Sequence, residues 1–480
     1  MELLKPTLTI LIPAIEILGI LTAMHAILFI RSAQGAIAWA ITLVVVPWIA
    51  LPLYWVLGRN KFFGYIESLR AGNIQSHHQL DRTIKRMERY ASPMDGNQIG
   101  INAGDEVYAS LAGIPFTGNN TAELLINGRA TFDAMFRRMD AARHYLLLEF
   151  FIVRDDEIGT RLQELLIRKS AEGVKIFFLY DEIGSRNLSD KYIERLRDAG
   201  VEIYPFFTTR GWYNRFQINF RNHRKIVVVD GQTGFVGGHN VGDEYLGRKK
   251  KYGAWRDTHV MVEGPVVLGV QLAFAADWFW AVRRKLEIAW NVHPAPAGGM
   301  NILPLATDPS QSLDTCLLMF LHAILSARDR VWIASPYFVP DNAIINALQV
   351  AALKGVDVRI ILPGRPDKKI LYLASFSFFP ALLSVPGITV YRYSPGFMHQ
   401  KVMIIDDHTA IIGSANFDNR SFYLNFEMNL VIKNREFTTR VERMLQDDIG
   451  HSRQVIYPSK KTSLLFKLMV RLSSLFSPIL

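Results

Sequence analysis

Hydrophobic and polar positions fall into distinct regimes along the chain. The beginning is dominated by two apolar runs, Thr7–Ile30 and Ala36–Leu57, of 24 and 22 residues. Each is long enough to cross a hydrocarbon core about 30 Å thick. The first run is longer than the apolar part of a cleaved leader, and a second follows at once, which predicts a transmembrane hairpin over residues 1–60. Glu16 is costly in lipid, so it is expected to face the other helix or to mark an off-centre span. Arg31 is the only cation between the runs, whereas Arg59, Lys61 and Arg70 follow the second and Lys5 precedes the first. The basic bias of cytoplasmic flanks then puts both ends of the hairpin, and the body after it, on the cytoplasmic side.

Beyond residue 113, short β-branched runs alternate with amphipathic stretches. Strands are expected at Tyr145–Val153, Val174–Tyr180 and Val201–Phe207, with helices at Gly159–Ser170 and Asp190–Ala199. The order recurs as strands at Arg330–Ser335, Val356–Leu362 and Ile388–Tyr393, with a helix at Ala343–Leu353. Such alternation predicts α/β sandwiches, here two halves packed face to face around a shared cleft. The division expected is a hairpin over 1–60, a membrane-proximal linker over 61–113, repeats over 114–300 and 301–455, and an amphipathic tail over 456–480. Within the linker, Leu80–Arg89 reads as a helix and Ser92–Gly104 as turns. In the tail, Lys467, Arg471 and Ser474 fall in one arc of an otherwise apolar helix, a pattern suited to the interface of an anionic membrane or to packing on the body.

The chemistry lies in a stretch that occurs twice. The first copy is His223-Arg-Lys225, four apolar residues, Asp230, then Gly237-Gly238-His239-Asn240; the second is His399-Gln-Lys401, four apolar residues, Asp406, then Gly413-Ser414-Ala415-Asn416. Each position of the second copy lies 176 residues after its partner, which marks an internal duplication. Ile226–Val229 and Val402–Ile405 read as buried strands. Residues two apart share a strand face, so each histidine points with its lysine, while Asp230 and Asp406 have the opposite parity and read as structural strand-end residues. Together the copies supply two imidazoles, two ammonium groups, two amides and one hydroxyl. That set suits a phosphate group and covalent phosphoryl transfer, with one histidine attacking and the other protonating the leaving oxygen. No metal or cofactor is required.

Composition narrows the partners. Half of the residues are hydrophobic and the net charge is +10, which with the apolar runs favours anionic lipid over nucleic acid. The lone Cys316 rules out an intrachain disulfide. Phe206–Asn222 interleaves Arg210, Arg215 and Arg221 with Trp212, Tyr213, Phe216 and Phe220, suiting a lipid headgroup interface, single-stranded nucleic acid or a packed loop. Ile370–Pro386, with Tyr372, Phe376, Phe378 and Phe379, reads as a lipid entrance or as core.

The paired motifs resemble the His-Lys-Asp motifs of the phospholipase D superfamily. The segment from Gly413 through Asn416 to Glu427, and Trp255-Arg-Asp257-Thr-His, look like bacterial cardiolipin synthases in particular. The resemblance covers nearly the whole chain. Gly238 departs from the serine that many members carry, so one hydroxyl is missing. The resemblance implies two phospholipase D-like α/β/α repeats with pseudo-two-fold symmetry. It counts His223, Lys225, Asp230, His399, Lys401 and Asp406 as the catalytic motif residues. Asn240, Ser414 and Asn416 would then hold phosphate, and Asp257 and Glu427 would orient the imidazoles. His223 would be the nucleophile, forming a phosphatidyl-histidine, and His399 the acid and base. The expected reaction is phosphatidyl transfer between two phosphatidylglycerol molecules at the bacterial inner membrane, giving cardiolipin and glycerol. A phospholipase D-type hydrolase, another phosphatidyltransferase and a non-enzymatic anionic-lipid-binding protein remain as alternatives.

Overall fold

The computed structural model describes residues 4–59, 61–71, 73–92, 104–207, 217, 219–456 and 463–480. Its membrane-proximal part is made of α1 (Leu4–Phe29), α2 (Ala33–Val45) and α3 (Pro47–Leu57). Among the described residues, α1 is the one helix long and apolar enough to cross a bilayer. It exposes Ile10, Ile17, Ile20, Ile27 and Leu28, a flank that only lipid covers favourably, and the protein is membrane-associated. Glu16 also lies on the exposed side, not against another helix.

The expected second span is broken. Val46 leaves the helical region at φ −136°, and Pro47 starts a new helix, because proline has no N–H to donate and its ring clashes with the carbonyl four residues back. Helix α3 then folds back along α2. Tyr54 packs edge-on to Trp39 with ring centroids 5.3 Å apart, and its hydroxyl lies 2.7 Å from His25 Nδ1 on α1. At the turn, a Cβ on Gly19 would lie 2.5 Å from the Leu43 carbonyl oxygen, so a glycine is needed for this approach. Both ends of the α2–α3 pair reach one carboxylate: Arg31 ion-pairs with Asp314, and Lys61 Nζ lies 3.7 Å from it. With 13 residues, α2 is about 20 Å long, too short to span. The apolar segment is therefore one long helix followed by two shorter helices that fold back on each other.

The body is built on strands β1 (Thr117–Ile126), β2 (Tyr145–Phe150), β3 (Lys175–Asp181), β4 (Glu202–Phe206), β5 (Arg221–Asn222), β6 (Ile226–Val229), β7 (Thr233–Gly237), β8 (Ala254–Arg256) and β9 (Thr258–Glu263). Their counterparts are β10 (Met300–Thr307), β11 (Arg330–Ala334), β12 (Phe338–Val339), β13 (Asp357–Pro363), β14 (Ile388–Tyr393), β15 (Gly396–Met398), β16 (Val402–Ile405), β17 (Thr409–Gly413), β18 (Phe417–Asp418), β19 (Asn425–Lys433) and β20 (Ser452–Gln454). The order is β20-β14-β13-β11-β16-β17-β19-β10-β1-β9-β7-β6-β2-β3-β4. Antiparallel pairing of β1 with β10 joins the repeats into one continuous sheet, and β7 and β9 also come against β17 and β19, so the two halves face each other across a shared apolar core as expected. Within each repeat three strands run parallel: β2, β3 and β4, and β11, β13 and β14. Helices such as Glu157–Ala171 and Asn342–Leu353 cover the faces, and apolar side chains fill both sides of the sheet, as the β-branched runs require.

Two shorter pairings decide the site. Strand β5 pairs in parallel with β19, and β15 pairs in parallel with β8. Each repeat therefore sends the strand before its histidine to the strand of the other repeat that carries or precedes its acid. The linker contributes the helix Asn73–Glu88, while most of Ser92–Gly104 lies outside the described residues. Arg210, Trp212, Tyr213, Arg215 and Phe216 also lie outside them. Phe220 is buried with Phe62, Tyr65, Trp280 and Phe426, so this end of the aromatic insert is core. Ile370–Pro386 forms two helices, Lys369–Ser375 and Phe379–Leu383, with Leu371, Phe379 and Leu382 buried. The tail forms a helix, Leu464–Ser474, that exposes Leu464, Leu465, Leu468 and Leu472 and sets Phe466 5.3 Å from Phe376.

Candidate active site

The two motif strands deliver their polar ends to one cleft. Strand β6 begins three residues after His223 and β16 three residues after His399, and their fully apolar runs lock the register in the sheet. The flanks of the histidines are fixed across the repeat boundary. His223 N–H donates to the Phe426 carbonyl at 2.9 Å, and His399 N–H to the Arg256 carbonyl at 2.7 Å.

The side chains cross in the same way. His223 Nδ1 lies 3.0 Å from Glu427, and His399 Nδ1 lies 2.7 Å from Asp257. Each repeat thus orients the other's imidazole. Both acids are fully buried and carry supporting donors. Ser414 Oγ donates to Glu427 at 2.5 Å and Ser421 Oγ at 2.8 Å. The Thr258 N–H donates to Asp257 at 2.8 Å, and Trp255 Nε1 approaches it at 3.3 Å. An Nδ1–H held by a carboxylate leaves the Nε2 lone pair free.

Electrostatics sets the resting charges. Burial, with Lys225 and Lys401 nearby, lowers His223 to about 4 and His399 to about 3, against the pull of their carboxylates. Both imidazoles are neutral at pH 7. Burial alone would raise Glu427, but His223 and Lys225 outweigh it and lower it to about 2. Asp257 is likewise held well below the usual carboxylate range, by His399, His239 and Lys401 against burial. Burial lowers Lys401 to about 8 and Lys225 well below the ordinary lysine value. Each lysine donates to the carbonyl of its own histidine, Lys225 at 2.5 Å, and Lys401 Nζ also lies 2.9 Å from His399 Nδ1. Two partly desolvated ammonium groups beside two neutral imidazoles form a receptor for a phosphodiester anion.

Other motif residues stand elsewhere. Asp230 and Asp406, grouped with the catalytic residues through the family resemblance, face away from the cleft. Asp230 accepts the backbone N–H groups of Arg143, His144 and Tyr145, each at 2.8 Å. Asp406 accepts those of Arg328, Asp329 and Arg330 at 3.1, 2.8 and 3.1 Å. Each tethers the start of the first parallel strand from a turn at φ +52°. Ser414 serves Glu427 instead of offering its hydroxyl to phosphate. The Asn240 amide is engaged as scaffold, accepting from Ile152 N–H at 3.0 Å and donating to Tyr245 OH at 2.8 Å. Asn416 Nδ2 donates to Asp418 at 3.2 Å, and its Oδ1 is buried without a partner among the described residues. Gly238 is explained by space: a Cβ there would lie 2.0 Å from Asp257 Oδ1, so the shorter acid occupies the room that Ser414 takes in the other repeat. His239 faces away, against Phe132 and His259.

A second set of buried charges holds the residue between each His and Lys. Arg224 pairs with Asp277 at 2.5 Å, and Asp277 also accepts from Tyr65 OH at 2.5 Å. Gln400 donates to Asp448 at 2.8 Å, and Arg256 pairs with the same carboxylate at 2.6 Å. Neither acid figured among the sequence candidates. A signal was present for one: Asp277 is the only charged residue in the apolar helix Val266–Val282.

The repeated sheet, the crossed histidine–carboxylate pairs and the two lysines define a phospholipase D-like enzyme. A family model described as "Cardiolipin synthase, PLD-like domain" matches residues 135–263 and 320–449. Cardiolipin synthase A of Pseudomonas putida strain GB-1 is 47% identical over 472 residues, 98% of each chain. Cardiolipin synthase A of Pseudomonas fluorescens strain Pf-5 is 48% identical over 480 residues, again 98% of each. The crystal structure of phosphatidylserine synthase from Haemophilus influenzae superposes on 78% of this chain and all of its own, with TM-score 0.62 and 15% identity, a likeness of fold. The chain belongs to the cardiolipin synthase family of phospholipase D-like proteins.

Proposed function

We propose that this protein joins two phosphatidylglycerol molecules into cardiolipin, releasing glycerol. The observation that carries the reading is the pair of neutral, carboxylate-held imidazoles flanked by two lysines in a membrane-anchored body. His223 Nε2 attacks the donor phosphorus and the bond to the headgroup oxygen breaks. His399 passes a proton to that oxygen, and glycerol leaves. An acceptor hydroxyl then gives its proton to His399 and attacks the phosphatidyl-histidine, and the N–P electron pair returns to His223. The donor phosphodiester is an anion, so its arrival offsets the lysines that hold His399 down and favours the protonated acid at the moment it is needed. Lys225 and Lys401 carry the charge that spreads over the phosphoryl oxygens. Asp257 and Glu427 position the rings, and Asp230 and Asp406 position the strands.

The body sits on the cytoplasmic face of the inner membrane. Arg31, Arg59 and Lys61 all flank the body end of the apolar helices, which is the cation-rich side. Because α2 and α3 turn back within the bilayer, α1 makes the single crossing and begins on the opposite face. The exposed leucines of the tail helix rest in the same interface as the re-entrant pair.

The test uses purified protein in mixed micelles with headgroup-labelled phosphatidylglycerol. One glycerol released per cardiolipin formed is the expected stoichiometry. Phosphatidic acid as the main product would refute the transferase reading.

A further inference from the structure

One short helix of the second repeat ties distant parts of the molecule to the His223 side of the cleft. The helix Asn419–Tyr423 follows Asn416 and precedes β19, which carries Glu427. At five residues it is too short to hold its own place, so its position depends on what it touches. Toward the cleft, Ser421 Oγ donates to Glu427 at 2.8 Å and accepts from the Asn416 N–H at 3.0 Å. Toward the apolar helices, the Arg31 guanidinium rests 3.8 Å from the Tyr423 ring centroid.

Arg420 makes the remaining contacts. Its Nη2 donates to the Asn219 carbonyl at 2.5 Å, and its Nη1 donates to Asn219 Oδ1 at 2.9 Å and to the Ile479 carbonyl at 3.1 Å. Its backbone N–H donates to the Leu480 main-chain oxygen at 3.0 Å, and Asn419 Nδ2 donates to the Ser477 carbonyl at 2.9 Å. The turn Ser477–Ile479 follows the tail helix, and Leu480 beyond it packs on Val339, Leu371 and Ala374. Burial lowers the Arg420 guanidinium to about 10, so it stays charged at pH 7. That charge is spent on carbonyl oxygens of two segments far apart in sequence. Asn219 stands two residues before Arg221, which lies opposite Asn425 where β5 meets β19, and four before His223. A shift of Asn219 therefore moves the strand that presents His223. The duplication does not account for this clamp. The position 176 residues before Arg420 is Glu244, which pairs with Arg154 and Lys249 in its own repeat, and the position 176 residues after Asn219 is Pro395.

We propose that Arg420 and the segment Ser477–Leu480 are positioning residues for His223. The clamp fixes Asn219, and with it the strand before the histidine. Through the neighbouring Ser421 it also fixes Glu427, so the imidazole and its carboxylate stay aligned when the phosphorylated ring becomes cationic. This rests on the two-histidine reading above and adds residues that touch neither the substrate nor the ring. His399 is held by a separate set of groups, so the clamp acts on one half of the site. The tail helix is then the mount of this clamp as well as a lipid contact.

Two variants of the full chain test the proposal. Arg420→Met keeps the side-chain stem and loses the donors, and Leu480→Asp unseats the segment and leaves both repeats intact. Each is assayed in mixed micelles with headgroup-labelled phosphatidylglycerol, with kcat referred to folded molecules. In Arg420→Met, kcat for glycerol release should fall roughly tenfold or more, the loss expected for one hydrogen bond to a charged group, with KM within about twofold of wild type. Leu480→Asp should lower kcat in the same way, and the double variant should be no slower than Arg420→Met, because both changes break one clamp. Imidazole NMR gives the readout that a merely structural role would not move: the His223 resonances should shift while those of His399 stay. If Arg420→Met does not fold, Leu480→Asp decides by itself. Wild-type kcat in Leu480→Asp, a raised KM at unchanged kcat in Arg420→Met, or equal movement of both imidazoles overturns the positioning role. Glycerol release that persists in His223→Ala overturns the histidine chemistry instead, so the two failures are separable.

Discussion

Glu427→Gln isolates the crossed pairing in one atom. Glu427 is buried and accepts from His223 Nδ1, from Ser414 and Ser421 hydroxyls, and from Asn425 Nδ2 at 3.1 Å. Glutamine keeps the shape but has one acceptor oxygen, and its NH2 must face a donor. The loss matters most when His223 attacks, because the phosphorylated ring is cationic and its Nδ1–H then bonds a charge. A hydrogen bond to a charged group contributes about 1.5–3 kcal/mol. At about 1.4 kcal/mol per decade, kcat should fall roughly 10- to 150-fold. The assay is single-turnover glycerol release from headgroup-labelled phosphatidylglycerol, with thermal unfolding of the same preparation as the control for folding. Imidazole NMR adds the crossing itself: Glu427→Gln should move the resonances of His223, and Asp257→Asn those of His399. A variant within twofold of wild type at an unchanged Tm would refute the reasoning, as would Glu427→Gln perturbing His399 and sparing His223.

Other outcomes follow from the same geometry. The pH profile of kcat/KM should fall steeply above about 8, where Lys401 loses its charge and its hold on phosphate; a profile still rising from pH 8 to 10 would contradict this. Asp406→Asn should cost about 1–3 kcal/mol of stability by weakening three backbone contacts while sparing kcat per folded molecule, and a stable but inactive variant would return Asp406 to the chemistry. Gly238→Ser should displace Asp257 and reduce turnover at least a hundredfold, since its Cβ would lie 2.0 Å from the carboxylate; full activity would show that the carboxylate has room to move. If α2 and α3 turn back within the bilayer as proposed, Ser32→Cys and Lys61→Cys should react with an impermeant maleimide from the same face of the membrane, and labelling from opposite faces would refute that topology.

Much of this protein was legible along the chain because the signals are local. A His-x-Lys before four β-branched or apolar residues forces a buried strand with both polar groups at its end, and strand parity alone separated Asp230 and Asp406 from the cleft. The 176-residue recurrence exposed the duplication, and the family and fold that it suggested agree with the relatives and with the sheet. Strand and helix limits in both repeats came within a few residues, since periods of two and 3.6 residues are set by the backbone.

Tertiary structure decided whatever depends on partners distant in sequence. Asp257 and Glu427 were both visible as candidates, but their assignment to opposite histidines follows from β5 pairing with β19 and β15 with β8, contacts across about 140 to 200 residues. Ser414, Asn240 and Asn416 carry the right groups for phosphate, yet hydrogen-bond capacity goes to whichever neighbour folding brings near, here Glu427, Ile152, Tyr245 and Asp418. The apolar run 36–57 has the length of one long helix, and composition does not show that it bends into two. Pro47 weakens the helix at one point, and Gly19 on α1 supplies the space into which the turn packs. Sequence thus determined the chemistry available and the local elements that carry it, and the fold determined which groups meet, because pairing across the sheet and close approach between helices are properties of the whole chain.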